Sequence, residues 1–338
     1  MLRCLSFVVL GTALAAQSVV VPNANAATRG TSQLNSLIRN SANPRTYMYG
    51  IPAAELAGIP VGAMLTGVSF RFMVFASNSP SWPPADITWN DYQVFAGPAV
   101  APASFTGNFL GNFSSPPVQV RSGPMRLPAG TYVNTTPPAP APNAWGEFYF
   151  DFQTSYLYTG GDLGLLFTHP GSNDTATAQY FETVASSPST YGVAFTQSVF
   201  PPGTGGASTT FCVIRVHHGY GRGCAGSGGR TPMLVANQGT SGALGGPILL
   251  ATANAPANAP SAYVVGAIRA SLPLPNGCTL LLPPMVTVPL TLDAFGGSVL
   301  RLTVPPNVLG VINVQTAVID SGAPGSFTLT NGVEPTAR

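Results

Sequence analysis

Lysine is missing from this chain of 338 residues, and its 13 basic residues are all arginines, spread singly from Arg3 to Arg338. Charged residues of both signs make up only 7% of the sequence, and the formal net charge is +2. Proteins that bind nucleic acid present clustered basic side chains to the phosphates, and this sequence has no such cluster. A Walker A loop is excluded as well, because it requires a lysine. We therefore expect no nucleic-acid partner.

Long apolar segments are also scarce. The first residues show a basic start at Arg3, a short apolar run from Leu5 to Ala16, and small residues at Ala13 and Ala15. These features predict a signal peptide over residues 1–16, with the mature chain beginning near Ala16 or Gln17. No later run reaches the roughly 18 apolar residues of a membrane-spanning helix, so we expect no transmembrane segment. The predicted location is extracellular, either secreted or at the cell surface.

Glycine and proline are abundant, with 38 and 34 copies beside 45% apolar residues. This composition favours many short strands joined by tight turns. Strict alternation places Val68, Phe70, Phe72 and Val74 on one face of a strand, and similar short runs recur along the chain. The sequence predicts an all-β protein, in which a jelly-roll-like β-sandwich precedes a smaller sandwich of the immunoglobulin or fibronectin type III kind.

The domain boundaries follow from changes in composition. Residues 17–44 are polar and predict an irregular N-terminal arm, and residues 45–218 predict the jelly-roll-like sandwich. Glycine concentrates in residues 219–230, which predicts a linker. Residues 231–338 carry seven or eight short apolar runs separated by turn signals, and they predict the second sandwich.

Three cysteines remain once the predicted signal peptide and its Cys4 are removed. In an oxidising compartment we expect one disulfide and one unpaired thiol. Cys212 shares a strand face with Ile214 and Val216, which indicates a buried core residue. The predicted disulfide therefore joins Cys224 to Cys278, and closing a loop of about 55 residues contributes roughly 4 kcal/mol.

No catalytic set is evident. The chain has three histidines, and no serine stands in a G-x-S-x-G motif. His217 and His218 are adjacent, so on a strand they point to opposite faces and do not share a metal. Glu147 and Asp151 would lie about 13 Å apart along a strand, too far for a glycosidase pair. A carboxylate pair assembled across strands, such as Glu182 with Asp162, is not excluded by this spacing. The protein could then be a β-sandwich glycoside hydrolase, which is a less favoured alternative.

Two weaker binding hypotheses also remain. The first is a sugar-stacking platform, whose alternative is that the same side chains fill the core, and its candidates are Trp82, Trp89, Tyr92 and Trp145. The second is a calcium ion held by loop oxygens near Asn173 and Asp174, for which the alternative is an ordinary Asx turn. No other metal or cofactor is expected.

Six segments carry a resemblance to a known group of proteins: 19–22, 45–49, 65–71, 158–163, 220–224 and 273–278. They resemble secreted, Gly/Pro-rich two-domain β proteins of planctomycete-type bacteria, and the similarity covers most of the mature chain. The shared motifs are turns and strand starts, and the resemblance implies no established activity.

The functional expectation follows from export, low charge and the lack of a catalytic set. The sequence predicts a non-enzymatic structural or adhesion protein of the cell surface or extracellular matrix. Its expected partners are polysaccharides or proteins of that surface. A carbohydrate-binding, lectin-like module is the alternative function.

Overall fold

Strands dominate the computed structural model, which describes residues 18–34, 36–38, 43–74, 80–145, 150–174, 181–238, 247–303 and 310–337. The helical elements among these residues are short 3-10 turns at Asn23–Asn25, Ser36–Ile38, Ala53–Leu56, Pro102–Ser104, Leu110–Asn112, Ser227–Gly229 and Pro324–Ser326. The all-β prediction is confirmed. None of the described helices is long and apolar enough to cross a membrane.

The strands before residue 220 are called the N-terminal group. Their bounds are β1 (Ser18–Val21), β2 (Ser32–Leu34), β3 (Arg45–Ile51), β4 (Met64–Phe70), β5 (Ser81–Trp82), β6 (Ile87–Trp89), β7 (Gln93–Pro98), β8 (Val118–Arg121), β9 (Met125–Leu127), β10 (Tyr132–Val133), β11 (Phe150–Leu157), β12 (Leu163–His169), β13 (Phe181–Ala185), β14 (Val193–Gln197), β15 (Gly206–Ser208), β16 (Thr210–Cys212) and β17 (Ile214–Gly219).

Two antiparallel sheets form the body of the N-terminal group. One has the order β1-β17-β4-β11, and the other has the order β15-β14-β3-β12-β7-β8. Alternate residues of both sheets meet in one core, where Phe70 of β4 lies edge-on to Phe167 of β12 with ring centroids 6.0 Å apart. Burial of these aromatic faces is the main stabilising contribution, since each large apolar side chain contributes about 1.5–3 kcal/mol.

Both faces of the larger sheet are covered. Its outer face carries Met48 and Leu166, and these pack against Phe109 and Phe113 from the connection between β7 and β8. This second contact explains why β12 is buried at every position and does not alternate.

The strands after residue 230 are called the C-terminal group. Their bounds are β18 (Met233–Gln238), β19 (Pro247–Ala253), β20 (Pro260–Gly266), β21 (Leu272–Pro273), β22 (Thr279–Leu280), β23 (Val286–Thr291), β24 (Ser298–Thr303), β25 (Gly310–Val311), β26 (Asn313–Ile319), β27 (Phe327–Leu329) and β28 (Thr336–Ala337).

Seven of these strands form a sheet of order β18-β19-β24 and a sheet of order β23-β20-β26-β27. They enclose a separate core that includes Leu234, Leu250, Tyr263 and Val314. Side chains from both sheets contribute to this core, so the two sheets pack face to face as a β-sandwich.

Two predicted boundaries differ from the structure. The arm predicted as irregular over 17–44 contains β1, which pairs with β17, and β2, which pairs with β13. Val19 and Val21 point into the core. Burial of these two side chains stabilises β1, although the segment around it has the composition of a loop.

The glycine-rich segment 219–230 is not an extended spacer. Tyr220 exchanges backbone hydrogen bonds of 3.0 and 2.9 Å with Gly332, and the amide of Cys224 donates to the Leu329 carbonyl at 2.9 Å. The Asp320 carboxylate accepts a further bond from the amide of Ser227 at 2.6 Å. These contacts place the segment alongside β27, as part of the C-terminal group.

Candidate functional site

A cleft of about 580 Å³ lies between the two strand groups. The N-terminal group contributes β8, β9 and β11, and the C-terminal group contributes β19, β24 and the loop that precedes β24. Its polar lining side chains include Arg121, Arg126, Asp151, Gln153, Arg230, Asn254 and Asp293. Because it gathers five charged side chains together with two amide side chains, this junction cleft is the candidate site.

Two ion pairs shape the N-terminal wall of the junction cleft. Arg121 pairs with Asp151 of β11, and its other terminal nitrogen donates to the Pro124 carbonyl at 2.9 Å. Arg126 of β9 pairs with Asp86, with its Nη2 2.6 Å from the carboxylate. Hydrogen bonding by the Ala129 amide, followed by Arg126, lowers the pKa of Asp86 below its ordinary value. These contacts hold the two arginine side chains of this wall in a fixed geometry.

The C-terminal wall carries an exposed aromatic ring. Phe295 is 68% exposed, and the Arg126 guanidinium carbon lies 4.8 Å from its ring centroid. The loop is fixed by Asp293, whose Oδ1 accepts backbone hydrogen bonds from Phe295 at 2.8 Å and Gly297 at 2.9 Å. Gly296 has a φ of +74°, and a Cβ there would collide with the Ala255 carbonyl oxygen. Only glycine fits this turn.

Asn254 links the two walls. Its Nδ2 donates to the Gln153 carbonyl at 3.1 Å and to the Thr231 carbonyl at 2.9 Å. Its φ of +59° is a backbone conformation that asparagine tolerates better than most residues. The Gln153 side chain is oriented by the Ser122 amide, which donates to its Oε1 at 2.9 Å.

The four aromatic residues proposed for sugar stacking lie elsewhere and are buried. Trp82, Trp89, Tyr92 and Trp145 are between 0 and 7% exposed. Trp82 stacks on Phe72 at 5.6 Å, and Trp89 meets Tyr92 edge-on at 5.4 Å. The prediction of an exposed platform at these positions is wrong, because the alternative, a place in the core, applies to all four.

Trp145 has an unusual setting within the core. Two guanidinium groups lie over its ring, that of Arg215 at 4.2 Å and that of Arg71 at 5.1 Å from the ring centroid. Arg71 is buried and paired with Glu182, and its Nη2 donates to two carbonyls of the chain start, those of Asn25 and Thr28, both at 2.9 Å. Burial, and then the charge of Arg71, lowers the pKa of Arg215 to about 9.

The calcium candidates hold the backbone together. Asn173 Oδ1 accepts from the Thr88 amide at 2.7 Å, and the amide of Asp174 donates to the Ser172 hydroxyl at 3.2 Å. In the part of the chain that the structure describes, no three His, Cys, Asp or Glu side chains are grouped to hold a metal. Neither bond is the Asx turn of the alternative: the first joins Asn173 to a distant strand, and the second is a local turn closed by the Ser172 hydroxyl.

The histidines lie inside the protein. His217 Nε2 is 2.6 Å from the Ser69 hydroxyl, and both residues are buried. Burial, then the charge of Arg215, then His218, lowers the pKa of His217 well below its usual 6.5. A neutral, buried serine–histidine pair has no access to a substrate. Adjacent His218 follows a register shift in the pairing of β17 with β4, which a strict alternation did not anticipate.

The carboxylates proposed for a cross-strand pair have different partners. Glu182 binds Arg71 and the amide of Gly30, whereas Asp162 Oδ1 accepts from the Ala53 amide at 2.8 Å. The first is buried inside the core, so it does not act on a substrate. Glu147, whose pairing with Asp151 the strand spacing excludes, lies outside the described residues.

The cysteine predictions are confirmed. Cys224 and Cys278 form a disulfide with their Cα atoms 5.1 Å apart, within the range this bond needs. Cys212 is unpaired and buried, and burial raises the pKa of its thiol to about 12.

No protein-family model matches the chain, and no curated protein is detectably similar to it.

Proposed function

We propose that this chain is an exported, non-enzymatic structural or adhesion protein of the cell surface or extracellular matrix. The observation that carries the proposal is the disulfide between Cys224 and Cys278. Disulfides persist in oxidising compartments and are rare in reducing ones. Its formation agrees with the signal peptide that the sequence predicts over residues 1–16.

The buried positions of the reactive side chains support a non-enzymatic role. Ser69, His217 and Glu182 are all inside the core, and each has a hydrogen-bond partner there. A hydrolase needs such groups in a cleft that a substrate enters. The junction cleft does contain Asp151 and Asp293, and these give the enzymatic alternative its most direct test.

Two separate cores support an organisation in two domains. The N-terminal group would form a jelly-roll-like domain, and the C-terminal group a fibronectin-like domain that includes residues 219–230. The resemblance to secreted proteins of planctomycete-type bacteria would extend over both.

Export is tested by the mass of the protein recovered from its native host. We expect a chain that begins near Ala16 or Gln17, outside the cytoplasm and accessible to protease on intact cells. A cut at that point leaves β1, which begins at Ser18 and contributes Val19 and Val21 to the core. A cytoplasmic chain that still carries Met1 to Ala15 would contradict export by this route.

The absence of hydrolysis is tested separately. The purified protein is incubated with a panel of plant, algal and bacterial polysaccharides, and released reducing ends are measured. We expect no release above the buffer. Release that depends on the protein and disappears in both Asp151→Asn and Asp293→Asn would replace the non-enzymatic proposal with a glycosidase.

A further inference from the structure

The junction cleft retains hydrogen-bonding capacity that the fold does not use. Five polar groups at its wall have no intramolecular partner among the described residues, namely Oδ2 of Asp151, Oδ2 of Asp293, Oδ1 of Asn254, Nε2 of Gln153 and the guanidinium of Arg230. Each of the first four has its other polar atom fixed by a bond already described. They are therefore held in position while one atom of each is left for a ligand.

The types of these groups indicate the ligand. Three of them are oxygen acceptors, which suit hydroxyl donors, and Gln153 Nε2 is a donor for a hydroxyl or ring oxygen. Phe295 provides an exposed apolar face at the same wall, where the C–H face of a pyranose can pack. Several hydroxyls on one side and an apolar face on the other are the features of a sugar ring.

The charges of the cleft narrow the class of sugar. Three arginines and two aspartates line it. Arg121 and Arg126 are each paired with a carboxylate, whereas Arg230 is exposed and has no ion pair in the described structure. An arginine in this state binds a carboxylate well, since its guanidinium forms two parallel hydrogen bonds with it. The two aspartates disfavour ligands with dense negative charge, such as polyphosphates.

We propose that the junction cleft binds an acidic saccharide, with Arg230 on the uronate carboxylate and Phe295 on the C–H face of the ring. Asp151, Asp293 and Asn254 accept hydrogen bonds from the hydroxyls, and Gln153 donates one. The inference rests on the proposed function, because it gives the adhesion protein a ligand of the kind found in extracellular matrices. In this proposal the sugar binds at the boundary between the two strand groups, and the buried tryptophans do not contact it.

The test is a calorimetric titration of the purified mature chain with trigalacturonate in a buffer that contains EDTA, beside neutral galactotriose. The variants are Arg230→Gln and Phe295→Ala. Their matched controls are Arg222→Gln, an exposed arginine outside the cleft, and Met285→Ala, an exposed apolar side chain on the C-terminal group. Thermal unfolding checks that each variant is folded.

We expect trigalacturonate to bind more tightly than the neutral sugar, and each cleft variant to weaken binding by about tenfold or more, while both controls bind as the wild type does. Arg230→Gln should also reduce the preference for the acidic sugar. The proposal is overturned if the folded wild type binds no trigalacturonate, if both sugars bind equally, if neither cleft variant weakens binding, or if binding requires calcium.

The two proposals fail separately. An extracellular protein that binds no acidic sugar would lose this ligand and keep its proposed location and structural role. A cytoplasmic protein whose purified form binds trigalacturonate through Arg230 would keep the binding site and lose the proposed function.

Discussion

The buried ion pair of Arg71 and Glu182 is the residue-scale feature with the largest expected effect on stability. Both side chains are fully buried, and every terminal atom of Glu182 is hydrogen-bonded. Removing one charge leaves the other desolvated and without its counter-ion. The pair also fixes the segment between β1 and β2, because Arg71 donates to the carbonyls of Asn25 and Thr28.

Glu182→Gln is expected to lower the free energy of unfolding by about 3–5 kcal/mol, since it leaves the Arg71 charge buried and unpaired. Urea denaturation followed by tryptophan fluorescence measures the change. Asp86→Asn is the matched control, because it breaks a partly exposed arginine pair whose loss should cost at most about 1 kcal/mol. Equal losses in the two variants would contradict the role given to burial.

The lowered pKa of His217 determines a pH dependence of the free energy of unfolding. Because its pKa in the folded protein lies below the unfolded value of about 6.5, the unfolded state binds more protons as the pH falls. The stabilising contribution is complete above about pH 6.5 and is lost progressively below it, at up to about 1.4 kcal/mol per pH unit. Denaturation curves between pH 7 and 5 measure this slope.

His217→Gln, which keeps a polar side chain for Ser69, should flatten that slope. Its stability should be lower than that of the wild type at pH 7 and closer to it at pH 5. A slope that is the same in the variant and the wild type would assign the pH dependence to other groups.

At the scale of elements, the disulfide holds the segment before β18 against the connection between β21 and β22. Replacing both cysteines, in Cys224→Ser/Cys278→Ser, is expected to lower the free energy of unfolding by about 4 kcal/mol on the chain-entropy model. Reduction of the wild type should produce the same loss, which calorimetry can compare directly. Reduction without any change in the unfolding transition would contradict a stabilising role.

Strands with strong alternation were predictable from sequence, and others were not. The run Val68 to Phe70 alternates in sequence, because Val68 and Phe70 face the apolar core whereas Ser69, on the other face, is buried beside the polar His217. β1 has four residues next to Pro22 within a polar segment, and its pairing with β17 depends on a partner far along the chain. The connection from β7 to β8 has loop composition, yet its Phe109 and Phe113 cover a sheet face. Local patterns do not report such distant contacts.

On the scale of the whole molecule, the junction cleft could not be predicted from sequence. Its residues come from five separate segments between Arg121 and Val299, and none of these segments carries a motif. The cysteine pairing was predictable, because strand alternation assigned Cys212 to the core and left two candidates. The aromatic residues were ambiguous, since core filling and sugar stacking use the same side chains.

Asn254 is expected to determine how firmly the two strand groups are joined. Asn254→Gly keeps the positive φ accessible and removes both hydrogen bonds, so the variant should lose about 1–3 kcal/mol. Differential scanning calorimetry should show the transitions of the two groups moving apart. Gln153→Ala is the control, because Asn254 contacts only the backbone carbonyl of that residue. Unchanged transitions in Asn254→Gly would contradict this role.

The pairing of β1 with β17 also determines the order in which the molecule can be completed. A chain emerges from the ribosome with its N-terminus first, so β1 is present long before the strand that it pairs with. Its edge of the sheet remains open until residues 214–217 follow. Contacts between residues so far apart in sequence form slowly. Until they form, the valines of β1 are exposed and need protection from aggregation. Synthesis of this protein therefore includes a long interval in which a chaperone can bind β1.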